Sequence, residues 1–277
     1  IIYVLLQVAF LGSIPTGTLS DGWAAIGKHF SLPYRDIAIT LGMGWLAFMV
    51  VCDAIVSPGG TGNIYMNATP RVVYGWARTG TFFKVFTHID KESGIPRPAL
   101  WLTFGLSIFW TLPFPSWEQL ISVVSAALVL SYAIAPVTAA GLRRTAPDLP
   151  RPFRVRGFAV IGPLSFMISA LIVFWTGWGT LCWLLGLQIV MFAVYVLCKA
   201  KAPVQHVSLA QQIKSSLWLL AFYVLILVFS WLGSFGGTGT IGHPWDTVAV
   251  ALISLGIYYW GAYTCLPRAN FSGDEEE

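Results

Sequence analysis

The chain alternates between long apolar runs and polar connections rich in proline, glycine and arginine. Continuous apolar runs of about 20 residues are typical of helices that cross a bilayer. The first run is apolar from its first residue and shorter than a full span, so we expect it to be the end of a helix that begins before residue 1. The pattern predicts an all-α, polytopic membrane helix bundle with eight helical segments, at 1–14, 36–57, 98–110, 117–140, 158–175, 181–197, 217–233 and 247–265.

The connections between these segments carry local predictions of their own. Residues 23–30 have the pattern of a short amphipathic helix that lies along a membrane surface. The loop at 67–97 is long, and its part 68–79 is predicted to be helical. Two prolines within 113–117 predict a tight hairpin turn. The acidic tail, 267–277, has the composition of a disordered cytoplasmic segment.

Composition excludes a soluble globular domain. The chain is 56% hydrophobic and 10% charged, whereas a typical soluble domain is about 25% charged. Its mean hydropathy is +0.72. The net charge of +4 is spread over the loops and does not indicate a nucleic-acid partner. No nucleophile elbow, phosphate-binding loop or metal-ligand spacing is present, so we expect neither an enzyme nor a cofactor or metal site.

The distribution of basic residues predicts the topology. If the connections after the second, fourth, sixth and eighth segments share one side, that side holds fourteen of the sixteen lysines and arginines. The positive-inside rule then places these loops and the carboxyl terminus in the cytoplasm. We therefore expect a multi-pass protein of the plasma (inner) membrane, with the lipid bilayer as a partner.

One stretch of the second segment combines a carboxylate, hydroxyls and glycines. Asp53 lies near the end of an apolar run, where a charge costs about 2.5–3.5 kcal/mol, so a partner or a purpose is expected. Pro58 and the glycines that follow are expected to weaken or break the helix. If the helix continues, Asp53, Ser57 and Thr61 recur every four residues on one face. The alternative for Asp53 is a structural acid that is hydrogen-bonded to a neighbouring helix or solvated near the interface.

Several motifs, in this order and spacing, resemble the amino acid–polyamine–organocation (APC) permeases, in particular the bacterial branch of proton-coupled acidic amino acid permeases. The resemblance covers residues 1–160, and residues 160–277 match in hydropathy more than in motif. The residues that carry it are the run 5–15, Asp53 with Ser57-Pro58-Gly59-Gly60-Thr61-Gly62, the run 71–80, and the proline motifs at 95–98, 112–117 and 151–154.

The resemblance implies part of an inverted-repeat, LeuT-like transporter fold. Residues 1–160 then run from the end of the family's seventh helix to its tenth and form part of the second repeat, with cytoplasmic loops. Residues 161–266 form four additional transmembrane helices, and 267–277 form the tail. The family's first six helices, which include the main substrate-binding elements, then lie outside the chain.

The resemblance also implies roles for individual residues. Ser57, Gly60, Thr61 and Ser125 match positions that line the substrate pathway. Asp53 is the candidate for proton or cation coupling. Arg71 and Arg78 are expected to anchor the cytoplasmic end of the helix or to form a gate.

The implied function is secondary active transport of an amino acid, with aspartate or glutamate as candidates, coupled to protons by symport or exchange. Sodium coupling is the mechanistic alternative. A non-transporting scaffold subunit is the alternative of another class. A channel is disfavoured because the sequence shows no selectivity filter or ring of charges. The oligomeric state and the exact substrate stay open at this point.

Overall fold

The computed structural model describes residues 1–20, 30, 32–78, 82–112, 117–199 and 209–266. All regular secondary structure in these ranges is helical. Two short 3-10 turns, Thr16–Leu19 and Lys84–Thr87, accompany the longer helices. In chain order these are α1 Ile2–Ser13, α2 Pro33–Thr40, α3 Gly44–Arg78, α4 Arg97–Thr111, α5 Trp117–Thr145, α6 Phe158–Trp175, α7 Trp178–Lys199, α8 Leu209–Leu232 and α9 Trp245–Tyr263.

Most of the predicted segments are confirmed as helices. The fifth coincides with α6, and the first, third, fourth and sixth to eighth match α1, α4, α5 and α7–α9 with ends that differ by up to eight residues. Among the described residues, four helices are long and apolar enough to cross a membrane, namely α3, α5, α6 and α8. There α1 and most of α7 are shorter apolar helices. The predicted surface helix at 23–30 and the proline turn at 113–117 fall largely outside the described residues.

The prediction for the second segment was wrong at both ends. Gly42 adopts a left-handed conformation with φ of 72°. There the Met43 amide donates to the carbonyl of Ala38, which ends α2 before α3 begins at Gly44. At the other end, α3 contains Pro58 and Pro70 and continues to Arg78. The expected helix break after Asp53 is therefore absent, and the helix predicted at 68–79 is confirmed as the last part of α3.

The helix α3 is longer than the hydrocarbon core of a bilayer is thick. Its 35 residues correspond to a rise of roughly 52 Å, against a hydrocarbon core of about 30 Å. A proline inside a membrane helix is tolerated where the freed carbonyl finds another partner. The helix therefore projects beyond the core at one end or both, and its last turns hold Arg71 and Arg78.

The chain divides into two compact units, one formed by residues 1–75 with 85–104 and the other by residues 76–84 with 105–277. The first unit has a small core in which Ile14, Phe30 and Ile37 are buried together. The rings of Phe10 and Tyr34 meet edge to face with centroids 5.5 Å apart, and this contact joins α1 to α2.

The second unit has the larger core, built from α5 to α9. Phe166 of α6 lies at its centre, with ring centroids 5.0 Å from Phe222 and 6.1 Å from Tyr258. The further buried members include Ala126, Leu130 and Ala133 of α5, Leu181 and Leu185 of α7, and Ile226 of α8.

Contacts at the two ends of this bundle fix the directions of its helices. At one end the Arg144 guanidinium donates to the carbonyl of Ala262 at 2.7 Å, which joins the ends of α5 and α9. At the other end the Trp178 amide donates to the carbonyl of Phe235 at 3.0 Å, which joins the α6–α7 turn to the α8–α9 loop. These contacts place the loops after α5 and α8 at opposite ends of the bundle, as an alternating path through a membrane requires.

Close packing of α9 depends on Gly261. A Cβ atom there would lie 2.7 Å from the ring of Trp218 and 2.8 Å from a methyl carbon of Val137. Gly256, on the same helix, has nothing within 4 Å of the position of a Cβ and is exposed. Small residues allow helices to approach closely in membranes, so we infer that Gly261 sets the distance of α9 from α5 and α8.

We expect Gly261→Ala to destabilise the second unit by about 1–3 kcal/mol, because the added methyl group displaces Trp218 or Val137. Thermal unfolding of the purified protein in detergent, followed by tryptophan fluorescence, measures the change. Gly256→Ala is the matched control and should leave the midpoint unchanged or raise it slightly, because alanine favours the helix. Equal midpoints for the two variants would contradict the packing described here.

Candidate functional site

The candidate site is the polar face of α3. Asp53, Ser57, Gly60 and Thr61 lie within this single helix, and all four are exposed. Since the helix continues through Pro58, the four-residue spacing places Asp53, Ser57 and Thr61 within about 80° of arc on one side. The sequence predicted a common polar face only if the helix continued past Pro58, and in the structure it does.

The polar groups of this face have no partners among the described residues. Neither the Asp53 carboxylate nor the hydroxyls of Ser57 and Thr61 take part in a side-chain hydrogen bond there. Several hydroxyls elsewhere bond back to their own helix; the Thr103 hydroxyl, for example, donates to the carbonyl of Ala99 at 2.9 Å. The side chains on the α3 face are therefore available to a ligand or to another part of the protein.

The glycines of α3 leave space beside this face. A Cβ atom at Gly59, Gly60 or Gly62 would meet nothing within 4 Å. Of the 18 most apolar consecutive residues in α3, only 6% are buried, compared with 33% of the corresponding residues in α6. The middle of α3 is therefore an open surface on which another backbone or a small molecule can approach closely.

Asn67 extends the polar face, and the sequence did not assign it to this face. The Asn67 amide donates to the carbonyl of Asn63 at 2.9 Å and lies near its side-chain oxygen at 3.4 Å. Asn67 lies seven residues after Gly60, two helical turns further on the same side. The sequence did not indicate Asn67 because the helix that contains Asp53 was expected to end before residue 67. A period of 3.6 residues carried past Pro58 would have found it.

A second carboxylate in an apolar environment provides a contrast to Asp53. Asp246, in the first turn of α9, is fully buried. It accepts hydrogen bonds from the amide and hydroxyl of Ser234, at 3.1 and 2.6 Å, and from the amide of Thr247 at 2.6 Å. The His243 imidazole lies 3.6 Å away. These donors satisfy Asp246 as a structural acid that holds the α8–α9 loop.

Ser125 belongs to the second unit, on α5. It is exposed, whereas its neighbours Val123 and Ala126 are buried in the core of that unit. Its side chain thus lies on the side of α5 that faces away from the core. The predicted role of Ser125 as a lining residue therefore stays a prediction.

Arg71 and Arg78 lie two turns apart near the end of α3, and both are exposed. Neither forms an ion pair with a carboxylate in the described residues. Unpaired arginines beyond an apolar run are typical of anchors at the headgroup region.

The polar loop before α4 is ordered by Asp90. The Asp90 carboxylate accepts from the hydroxyl of Ser93 at 2.6 Å and pairs with Arg97 at 3.0 Å. The hydrogen bonds from Ser93, together with the Arg97 charge, hold the pKa of Asp90 below its usual range. These contacts form the turn in which Gly94 has a positive φ of 66°. The proline-and-arginine motif at 95–98 therefore joins this loop to the first turn of α4.

Comparison with known proteins now adds the family. The family model described as "Amino acid permease" matches residues 1–229. An aspartate-proton symporter of Bacillus subtilis is 57% identical over 276 residues, which cover 99% of this chain and 53% of that protein. The glutamate/serine transporter AimA of the same organism is 34% identical, over 94% of this chain and 48% of its own length. The chain thus spans about half the length of these curated relatives. No solved structure matches it significantly.

The matched family accounts for the architecture described above. Its members in the comparison are transporters, and the described part of this chain has four helices able to cross a bilayer. The family model covers more than half of the chain, and the motifs at 1–160 fall inside the matched region. The chain belongs to the amino acid permease family and is part of a multi-pass membrane protein.

Proposed function

We propose that this permease moves an acidic amino acid, with aspartate as the first candidate, together with protons, and that the polar face of α3 is one wall of its pathway. The observation that supports the proposal most strongly is the uncovered face itself, with a carboxylate and two hydroxyls that lack partners in the described residues. The similarity to an aspartate-proton symporter supports the choice of substrate and coupling ion.

A charge inside a bilayer is costly. Placing an ionised Asp53 against lipid would cost about 2.5–3.5 kcal/mol of free energy. Asp53 therefore contacts water or a partner, or it carries a proton. Polar groups at membrane depth are generally found where they line a cavity or pair with another helix. The relatives contain about as much sequence again outside the matched region, and we assign the opposite wall to that part of the protein.

Each residue of the face has a role that follows from its chemistry. The hydroxyls of Ser57 and Thr61 donate to the carboxylate groups of the substrate. Gly60 lets the substrate or the opposite backbone come close to the α3 axis. Asp53 binds the coupling proton, which neutralises the carboxylate while the site changes its exposure from one side of the membrane to the other. Ser125 of α5 is proposed as a further lining residue.

Arg71 and Arg78 are proposed as anchors that keep the end of α3 at the cytoplasmic headgroups. Fourteen of the sixteen basic residues fall on one side of the predicted topology. We therefore assign that side, and the carboxyl terminus, to the cytoplasm of a cell whose plasma membrane holds the protein.

The function is tested by uptake of labelled aspartate into proteoliposomes that contain the full-length protein. We expect accumulation with an inward proton gradient, and loss of accumulation when the gradient is collapsed by an uncoupler. Replacement of sodium by potassium should have no effect. Accumulation that follows a sodium gradient instead would show the alternative coupling ion, and no uptake of any amino acid would support a scaffold role.

In the same assay Asp53→Asn should abolish proton-driven accumulation while aspartate exchange across the membrane is retained. Asparagine keeps the size and much of the hydrogen-bonding capacity of aspartate but cannot take up or release a proton. Glu92→Gln, which removes an exposed carboxylate from the loop before α4, is the matched control and should retain both activities. Unchanged accumulation in Asp53→Asn would show that Asp53 is not the coupling site.

The topology is tested by labelling of cysteines introduced into a variant that lacks the natural ones. Asp148, in the loop after α5, and Thr240, in the loop after α8, are both exposed and lie at opposite ends of the bundle. In intact cells a membrane-impermeant maleimide should label Thr240→Cys and spare Asp148→Cys until the membrane is opened. The reverse pattern would invert the assigned orientation.

A further inference from the structure

The outer surface of the second unit carries an apolar groove between α6 and α9. Its volume is roughly 300 Å³. The side chains that line it include Val160, Leu164 and Met167 of α6 together with Leu255 and Tyr259 of α9. Val160 is 69% exposed and Leu164 45%. The groove is thus a concave, apolar surface on the outside of the bundle.

The end of α5 and the loop that leads from it to α6 carry five arginines, and three of them have structural contacts. The Arg151 guanidinium donates to four carbonyls around the end of α5, the shortest at 2.6 Å to Ala146. Arg144 donates to the carbonyl of Ala262 and lies 4.1 Å above the ring of Tyr263. Arg143 lies 4.0 Å above the ring of Phe158, at the start of α6. These three arginines hold the end of α5 and the following loop against the bundle.

The remaining two arginines of the loop, Arg154 and Arg156, are exposed. Neither has an ion pair or a hydrogen bond in the described residues, and the acid of the same loop, Asp148, is not paired with them. Arg156 precedes the first residue of α6 by two positions. Two positive charges without partners in the described residues therefore stand two and four positions before α6, the helix that forms one side of the groove.

The dimensions agree with one lipid chain. From Ala159 to Met167 the groove follows α6 over eight residues, a rise of roughly 12 Å, which is close to the roughly 15 Å thickness of one hydrocarbon leaflet. An acyl chain lying along α6 would bring its head group to the level of the loop. Guanidinium groups bind phosphate by charge-assisted hydrogen bonds.

From this arrangement we propose that the groove between α6 and α9 binds an anionic phospholipid, with its acyl chain against Val160 and Leu164 and its phosphate on Arg154 and Arg156. The proposal does not depend on the transported substrate. A second copy of the chain fits the groove less well. A twofold axis along the membrane normal would bring the arginine loops of both copies to the same side, where like charges repel.

The test uses the full-length protein purified in detergent, with its thermal midpoint measured as lipid is added. Phosphatidylglycerol should raise the midpoint by several degrees, and phosphatidylcholine with the same acyl chains should raise it much less. Arg154→Gln/Arg156→Gln should increase the phosphatidylglycerol concentration needed for half of the shift by roughly 10- to 30-fold. Lys91→Gln/Lys214→Gln removes the same charge elsewhere and should leave the titration unchanged.

A second variant tests the groove itself. Ala159→Trp fills the apolar surface and should remove most of the shift with phosphatidylglycerol while both arginines are retained. Glycerol phosphate, which has the head-group chemistry without the chain, should give no shift. Equal shifts with glycerol phosphate, or a normal titration for Ala159→Trp, would show that the arginines attract anions without a groove site. Efficient cross-linking between copies through Leu255→Cys in native membranes would make a second copy the occupant. Each of these results would overturn the proposal.

Discussion

The described part of this permease depends on the rule that a polar group at membrane depth must have a partner. The second unit satisfies this rule almost entirely within itself. Asp246 has donors from Ser234 and Thr247, and the hydroxyl of Ser254 bonds back to the carbonyl of Val250. The face of α3 does not satisfy it within the described residues, where Asp53, Ser57 and Thr61 have no side-chain partners. The two carboxylates thus differ in that Asp246 is satisfied within its own unit, whereas Asp53 is the residue proposed for coupling.

The packed bundle of the second unit and the uncovered surface of α3 also differ in how closely their residues are packed. Core residues such as Phe166 and Phe222 hold the bundle of α5 to α9 together, and Gly261 lets its helices pack closely. The middle of α3 has little cover and several glycines, which leave room for other groups to approach. A transporter that changes its exposure across the membrane needs both, a packed part and a surface against which other elements can move.

The sequence predicted the apolar helices well because hydropathy in long runs depends on the bilayer more than on tertiary contacts. It failed on α3, where local rules for proline and glycine predicted a break after Asp53, while the structure has a helix that continues to Arg78. That error also hid Asn67. Asp246 escaped notice because it begins a helix, and only the folded α8–α9 loop shows how it is buried. The family, and the choice of Ser57, Gly60 and Thr61 as lining residues, came from sequence motifs. Their common face on α3 is consistent with that choice but could not have led to it.

The polar face of α3 as a wall of the substrate pathway is tested most directly by the reactivity of single cysteines in the full-length transporter. Ser57→Cys, in a background without the natural cysteines, should react with a small water-soluble thiosulfonate, and aspartate should slow this reaction several-fold. Ile55, exposed on the opposite side of the same helix, provides the matched position, and Ile55→Cys should react slowly with no effect of aspartate. Equal reactivity at both positions, or no protection of Ser57→Cys by any transported amino acid, would contradict the assignment of this face to the pathway.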